Sequence, residues 1–302
     1  MKPEQPAYDT GEPSTTADVD EQIAAAMRSY LESTLGWRHD MADQRIAAEL
    51  ARTIQKDVVK YLLSQGIDFR GMTVLDLGAG LGGLSAEMVQ YGARVIAIEP
   101  GQHWRRIAAK NVQRFGGGQV IGGVGEHLPL RESSIDMVVS VQVLEHVEDP
   151  DAVIQEVYRV LRAGGLFYLR CENYLSFREP HYRIFWLPLM PKSIGAVYLR
   201  LRRRSPQFLL SAITYTTILS VRAALRRSGF VLQHDERVRA IVSSPDRIKT
   251  AWKRCLLKPL ASQTPRLAHV SARLLTTAVR LCAQNISEVA IKPAVSSRSP
   301  SA

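Results

Sequence analysis

Apolar residues in this chain recur with two periods, and the switching between them predicts most of its elements. Residues 21–35 and 42–64 carry apolar positions at helical spacing. In the second stretch Ile46, Leu50, Ile54, Val58 and Leu62 recur every four residues, and Gly66 stops the pattern. Short strand-like runs then alternate with helical ones: strand 73–77, helix 82–91, strand 94–98, helix 103–115, strand 119–122, strand 135–140, helix 150–161, strand 165–171. Such alternation predicts a parallel sheet with helices on both faces. Right-handed crossovers put the strand C-termini on one edge, where ligands bind.

After Cys171 the pattern changes. Residues 172–210 are rich in Pro, aromatics and Arg and have little regular period. Residues 214–228 read as a helix stopped by Gly229, Phe230–Val238 as a strand, 246–282 as mainly helical and basic despite Pro259 and Pro265, and Ser287–Ile291 as a last strand. Residues 1–20 and 293–302 are expected to be disordered tails. The first also lacks the apolar core of a secretory signal.

The densest chemical signal is Val74-Leu75-Asp76-Leu77-Gly78-Ala79-Gly80-Leu81-Gly82-Gly83, a strand running into a glycine turn, followed by Glu99 at the end of the next strand. Glycines let the backbone turn tightly beside a nucleotide-like cofactor, and a carboxylate about 20 residues on can take both ribose hydroxyls. Gly78, Gly80 and Gly83 also satisfy the dinucleotide fingerprint of a dehydrogenase. Asp76, inside the strand end, and the lack of a further pyrophosphate signal favour a cofactor without phosphates.

The later segments carry a resemblance. Val95–Pro100 ends in the acid. Glu126-His127-Leu128-Pro129-Leu130 follows Val120–Gly122. Ser134–Ser140, Val143–Pro150, Leu161–Gly165 and Leu166–Leu169 come in order behind it. Over roughly residues 40–172 the chain resembles the class I S-adenosylmethionine-dependent methyltransferases. The resemblance implies an α/β fold with a Rossmann-like doubly wound sheet, mostly parallel, with an antiparallel C-terminal strand and helical insertions. It implies one domain over 21–292, with N-terminal cap helices (21–65) and acceptor-side insertions (172–210 and 243–284). The cofactor would be S-adenosylmethionine, the methyl donor. Asp76, Gly78, Ala79 and Gly80 would border its methionine part, Glu99 its ribose, and Gln142 its sulfonium. Gly125 and Glu126 would meet the adenine through their backbone, because Val124 stands where an Asp is common.

Methyl transfer needs nucleophile, methyl carbon and sulfur held in line, and a base only where the acceptor must lose a proton. His181, in Glu179-Pro180-His181-Tyr182-Arg183, is the candidate base. That segment and the Leu187-Pro188 behind it are loosely similar to bacterial methyltransferases of polysaccharide, glycolipid and secondary-metabolite pathways. Tyr182 and Trp186 are expected either to line the acceptor or to pack a lid. Some quinone-biosynthesis and small-RNA methyltransferases carry Glu-x-x-Glu-His where this chain has Gln142-Val143-Leu144-Glu145-His146, and they bind a divalent metal. Losing the first carboxylate weakens a site for a hard cation, so no metal is expected.

Charge narrows the acceptor. The net charge of +10 is concentrated after residue 170, where 22 Lys and Arg stand against 6 carboxylates. A field of that sign favours an anionic partner, and Arg200, Arg202, Arg203 and Arg204 are its densest cluster. The expected acceptor is a small molecule, glycan or lipid-linked group, methylated at oxygen, with peripheral contact to an anionic membrane. No run approaches the roughly 20 apolar residues that a span requires; Ile184–Leu199 is broken by Pro188 and Pro191. An RNA methyltransferase is the alternative that the basic C-terminal part favours. The fourth strand, however, ends Ser140-Val141-Gln142-Val143, not in the Asp/Asn-Pro-Pro-aromatic motif of base-amino methyltransferases. A non-catalytic binder is a further alternative, opposed by the intact glycine turn and Glu99. Cys171, Cys255 and Cys282 form no Cys-x-x-Cys pair, which disfavours zinc on cysteines and suits a reducing cytoplasm.

Overall fold

Among the described residues nine strands are formed in chain order: β1 (Thr73–Leu77), β2 (Arg94–Ile98), β3 (Gln119–Ile121), β4 (Ile135–Val141), β5 (Leu161–Glu172), β6 (Arg178–Glu179), β7 (Ile184–Phe185), β8 (Val231–Leu232) and β9 (Asn285–Ile291). Seven make one mixed sheet of order β3-β2-β1-β4-β5-β9-β8, while β6 and β7 form a separate hairpin. β1–β4, β2–β3 and β4–β5 are parallel; β5–β9 and β8–β9 are antiparallel. The doubly wound α/β sheet with an antiparallel C-terminal end is the fold that the periodicity and the resemblance predict. The computed structural model of the chain describes residues 16–233, 281 and 283–294. Most of the basic helical stretch expected over 246–282, and with it most of the insertion 243–284, lies outside them. So do the end of the strand expected over 230–238 and most of the tail 293–302.

The chain divides into two compact units. One comprises the residues up to Met72 together with Ala79–Gly122; the other comprises Thr73–Gly78 and the chain from Gly123 onward. In the first unit, helices α1 (Thr16–Arg28), α2 (His39–Leu50), α3 (Thr53–Ser64), α4 (Gly83–Gln90) and α5 (Gln102–Gln113) accompany β2 and β3. Helix α1 starts inside the stretch read as a tail. Val19 is buried there, and Arg114 of the chain just after α5 holds Asp20 at 2.7 Å and the Thr16 carbonyl at 3.2 Å. Residues 1–15 lie outside the description. The single helix expected over 42–64 is two helices, broken at Ala51-Arg52. Arg52 adopts φ +52°, a strained region for a residue with a side chain. The break is held by distant partners: the Arg52 Nε lies 2.5 Å from Glu87, and its guanidinium sits 4.0 Å over the Phe115 ring.

In the second unit, β4 and β5 are flanked by α6 (Pro150–Val160), which Asp149 caps by accepting from the amides of Asp151 and Ala152. Strand β5 begins at Leu161, earlier than expected, because Leu161 pairs with Ile135 before a shift in register. Cys171 is buried within it, packed as a small hydrophobe. The aperiodic stretch after it folds into the β6–β7 hairpin, α7 (Lys192–Leu201) and α8 (Gln207–Ala212), followed by α9 (Ile218–Arg227). These close on a separate apolar cluster of Tyr174, Tyr182, Trp186, Met190, Leu199, Leu209 and Ile213. Tyr182 and Trp186 are therefore core residues of the insertion. No helix among the described residues is long and apolar enough to cross a membrane.

Gly195 of α7 lies so close to Trp186 that an added Cβ would stand 2.5 Å from Cη2 and 2.8 Å from Cζ2. Both partners are fixed in the cluster, so the strain cannot relax at a flexible tip. Gly195→Ala is expected to destabilise the protein by about 1–3 kcal/mol, the usual cost of overpacking, seen as a lower urea midpoint. An unchanged midpoint would show that the cluster is looser than its packing indicates.

Candidate functional site

The two units contribute separate groups of candidate residues. In the first, Glu99 follows β2 directly, and its amide donates to the carbonyl of Ile121. Its carboxylate accepts from the amide of Gly80 at 2.9 Å through Oε2 and from that of Gly101 at 2.8 Å through Oε1. The Ala79 amide donates to the Ile98 carbonyl at 3.0 Å. Ala79, Gly80 and Glu99, linked only by spacing in the sequence, are thus brought together. Burial pushes the Glu99 carboxyl up, against the pull of the Gly101 and Gly80 amides and Arg105. Each oxygen has one amide donor and keeps lone-pair capacity for another. A ribose supplies two adjacent hydroxyls, so the carboxylate fits one. Gly80 has φ +55°, and nothing stands within 4 Å of where its Cβ would be, so the turn leaves open space for a ligand.

In the second unit, Asp76 is buried in β1, opposite Val139 of β4. Gly78 follows with φ +73°, and an added Cβ would stand 2.4 Å from Val143 Cγ2, so only glycine fits. Gln142, between β4 and Val143, has φ +60°. Its amide donates to the Arg170 carbonyl at 2.7 Å and its side chain donates to Glu172 Oε1. The ends of β1, β4 and β5 therefore converge on Gly78, Gln142 and Glu172. Gly125 is buried against Val153. The Glu126 carboxylate accepts from the amide of Glu148 at 3.1 Å, which commits its side chain to the loop before α6. What Glu126 can offer an adenine is its backbone.

Beyond the same strand ends lies a polar cluster that sequence reasoning recovered only in part. Glu145 and His146 form a one-turn 3₁₀ segment after β4. Chain from the far end of α8 clamps it: Thr214 donates its amide to the Glu145 carbonyl at 2.7 Å, and His146 Nδ1 donates to the Ala212 carbonyl at 2.8 Å. Glu179, wholly buried, accepts from His181 Nδ1 at 3.1 Å, the Tyr182 amide at 2.6 Å and the Tyr174 hydroxyl at 3.3 Å. The Nε2 atoms of His181 and His146 face each other at 3.3 Å. Glu145 is also wholly buried, with no hydrogen bond to either carboxylate oxygen, and Glu172 Oε2 likewise has none. Burial pushes Glu145 up to about 7 and raises Glu172 as well. Burial alone would lower His181, but Glu179, Glu145 and Glu172 raise it on balance. The sequence places Glu172 and Glu179 in the acceptor-side stretch 172–210 and shows neither their burial nor their partners. The one local signal was a glutamate two residues before His181.

The arginine cluster ends α7 and continues past it. Arg200, Arg202 and Arg203 are exposed and Arg204 is half-buried. Ile194, Val197 and Leu201 of the same helix are exposed too.

Comparison with known proteins bears on the fold and the family. Residues 75–169 match the family model of a methyltransferase domain. An uncharacterized methyltransferase of Mycobacteroides abscessus is 31% identical over 152 residues, 49% of this chain and 59% of that protein. The chain thus spans somewhat over half the length of this relative. A 37.1 kDa protein in a Streptomyces fradiae transposon is 36% identical over 121 residues, 39% of this chain and 35% of its own. A Galdieria sulphuraria structure, named as a sarcosine dimethylglycine methyltransferase, superposes with a TM-score of 0.53 at 16% identity. It covers 91% of this chain and 98% of its own, a likeness of fold. Residues 75–169 belong to the class I S-adenosylmethionine-dependent methyltransferase family, and S-adenosylmethionine is the methyl donor that family uses.

The Glu99 cradle makes a direct prediction. Glu99→Ala is expected to weaken S-adenosylhomocysteine binding by about 1–3 kcal/mol, as for loss of a charged hydrogen-bonding group, measured by calorimetry. Undiminished affinity would remove Glu99 from the cofactor site.

Proposed function

We propose that this chain transfers the methyl group of S-adenosylmethionine to an oxygen of a small-molecule, glycan or lipid-linked acceptor that carries negative charge. The observation that carries the reading is the convergence at the ends of β1, β4 and β5. Gly78 and Gln142, the residues assigned to the methionine and sulfonium side, lie at the same strand ends as the buried Glu145–Glu172–His181 cluster.

The donor supplies an activated methyl on a sulfonium, so the chemistry left to the protein is alignment and handling of one proton. Asp76, Gly78, Ala79, Gly80, Glu99, Gly125, Glu126 and Gln142 hold and orient the donor. Gln142 is fixed at both its amide and its side chain, which suits a residue that must not drift. His181 serves deprotonation of the acceptor hydroxyl, with Glu179 behind its Nδ1 setting the ring orientation and tautomer. Packing of Tyr174, Tyr182 and Trp186 keeps the insertion closed over that cluster and restricts water.

The exposed arginines at the end of α7, beside exposed Ile194, Val197 and Leu201, suit an acceptor presented at an anionic membrane surface. Apolar side chains would enter the headgroup region while the guanidinium groups meet phosphates.

Two measurements test this reading. His181→Ala is expected to slow methyl transfer by about 10²–10⁴-fold, the usual worth of proton handling, with cofactor affinity unchanged, and His181→Gln is expected not to restore it. Near-normal turnover by the alanine variant would leave His181 a structural residue. Replacing Arg200, Arg202, Arg203 and Arg204 with Gln is expected to weaken binding to phosphatidylglycerol vesicles. The difference should shrink as salt rises, since exposed charges are screened over roughly 8 Å at physiological ionic strength. Equal vesicle binding by the variant would make the cluster an ordinary solvated surface.

A further inference from the structure

The contacts of the two histidines fix their protons. A backbone carbonyl only accepts, so His146 carries its proton on Nδ1, where it meets Ala212. The Glu179 carboxylate fixes a proton on His181 Nδ1 in the same way. Two neutral imidazoles so arranged bring two acceptor atoms, both Nε2, to 3.3 Å from each other. A shared proton would relieve that pair. It would leave Glu145, fully buried beside them, with no hydrogen bond to either carboxylate oxygen. Leaving such a group without a partner is costly. A divalent cation answers all three groups at once.

We propose that Glu145, His146 and His181 bind one divalent first-row transition-metal ion of the zinc type. Their ligating atoms already lie within 4.8 Å of one another. The 3.3 Å between the Nε2 atoms matches the edge of about 3.4 Å of a tetrahedron whose ligands stand about 2.1 Å from the metal. The Glu145 carboxylate must move inward to complete the triangle. Each histidine gives its second ring N–H to a carbonyl or carboxylate, the outer support that metal-bound histidines ordinarily have. Two imidazoles and one carboxylate favour zinc, manganese, cobalt or iron over magnesium, which prefers oxygen. Gln142 in place of a carboxylate shifts the donor set the same way. Glu145 is buried while His146 is exposed, so the open coordination positions face outward. An ion there would lower the pKa of a hydroxyl it binds, and His181 would then serve the acceptor by holding the ion. Glu179 is a positioning residue for His181. Metal binding does not depend on the methyl-transfer reading; only the use made of the ion does.

The test uses the full chain, stripped by dialysis against a chelator, then titrated with cobalt(II) by visible absorption and with zinc by calorimetry. One equivalent of each is expected to bind, with a rise in Tm in zinc. His146→Ala is expected to weaken zinc binding at least tenfold, and Glu145→Gln to do the same. Glu179→Gln is expected to weaken it by about 10–100-fold, as loss of outer support does. Absence of the cobalt spectrum at one equivalent, or equal zinc binding by His146→Ala, would overturn the site. If no ion binds while His181→Ala still abolishes turnover, the metal inference fails and the methyl-transfer reading stands. One bound ion with no methyl transfer to any acceptor would sustain the site and overturn that reading.

Discussion

Three carboxylates sit out of water at one end of β4 and β5, and the insertion after β5 is arranged around them. Burying a charged group without partners is among the most expensive things a fold can do. The three are compensated unequally. Glu179 has three donors, Glu172 has Gln142, and Glu145 has no hydrogen-bond partner. That gradient in compensation sets Glu145 apart from Glu179. Tyr174, Tyr182 and the β6–β7 hairpin secure Glu179, and Glu179 in turn orients His181.

The surrounding backbone is held with matching care. Thr216 donates its hydroxyl to the Glu172 carbonyl at 2.6 Å, and Thr214 gives its amide to Glu145 and its hydroxyl to Val147. Each fixes the main chain beside a carboxylate while leaving its side-chain oxygens untouched. Gln142 in the left-handed region is the local cost of turning the chain out of β4 so that its side chain reaches Glu172. In the other unit Glu99 shows the contrasting solution. Two backbone amides hold a buried carboxylate in place and leave it capacity for hydroxyl donors.

Elements with a strong local period were legible from the residues alone. β1, β2, β4 and α6 follow from apolar spacing, and the glycine turn and Glu99 follow from their residue types and spacing. Features governed by partners far along the chain were not. Arg52 breaks a helix that its own pattern would continue, because Glu87 and Phe115 hold it elsewhere. Thr16–Asp20 become helical because Val19 finds a core and Arg114 finds Asp20.

The sequence by itself determined the sheet, its glycine turn, the placing of Glu99 after β2 and the methyltransferase domain, since these rest on short-range periodicity and on fixed spacing within one βαβ repeat. Only the tertiary structure decided what Glu145 and His146 stand beside. Their partner His181 is 35 residues away from His146, in a stretch with no helical or strand period to predict its path. Tyr182 and Trp186 show the same limit. An aromatic residue in such a stretch can line a ligand or pack a core, and burial against Leu199 and Leu209, a property of the folded insertion alone, places both in the core.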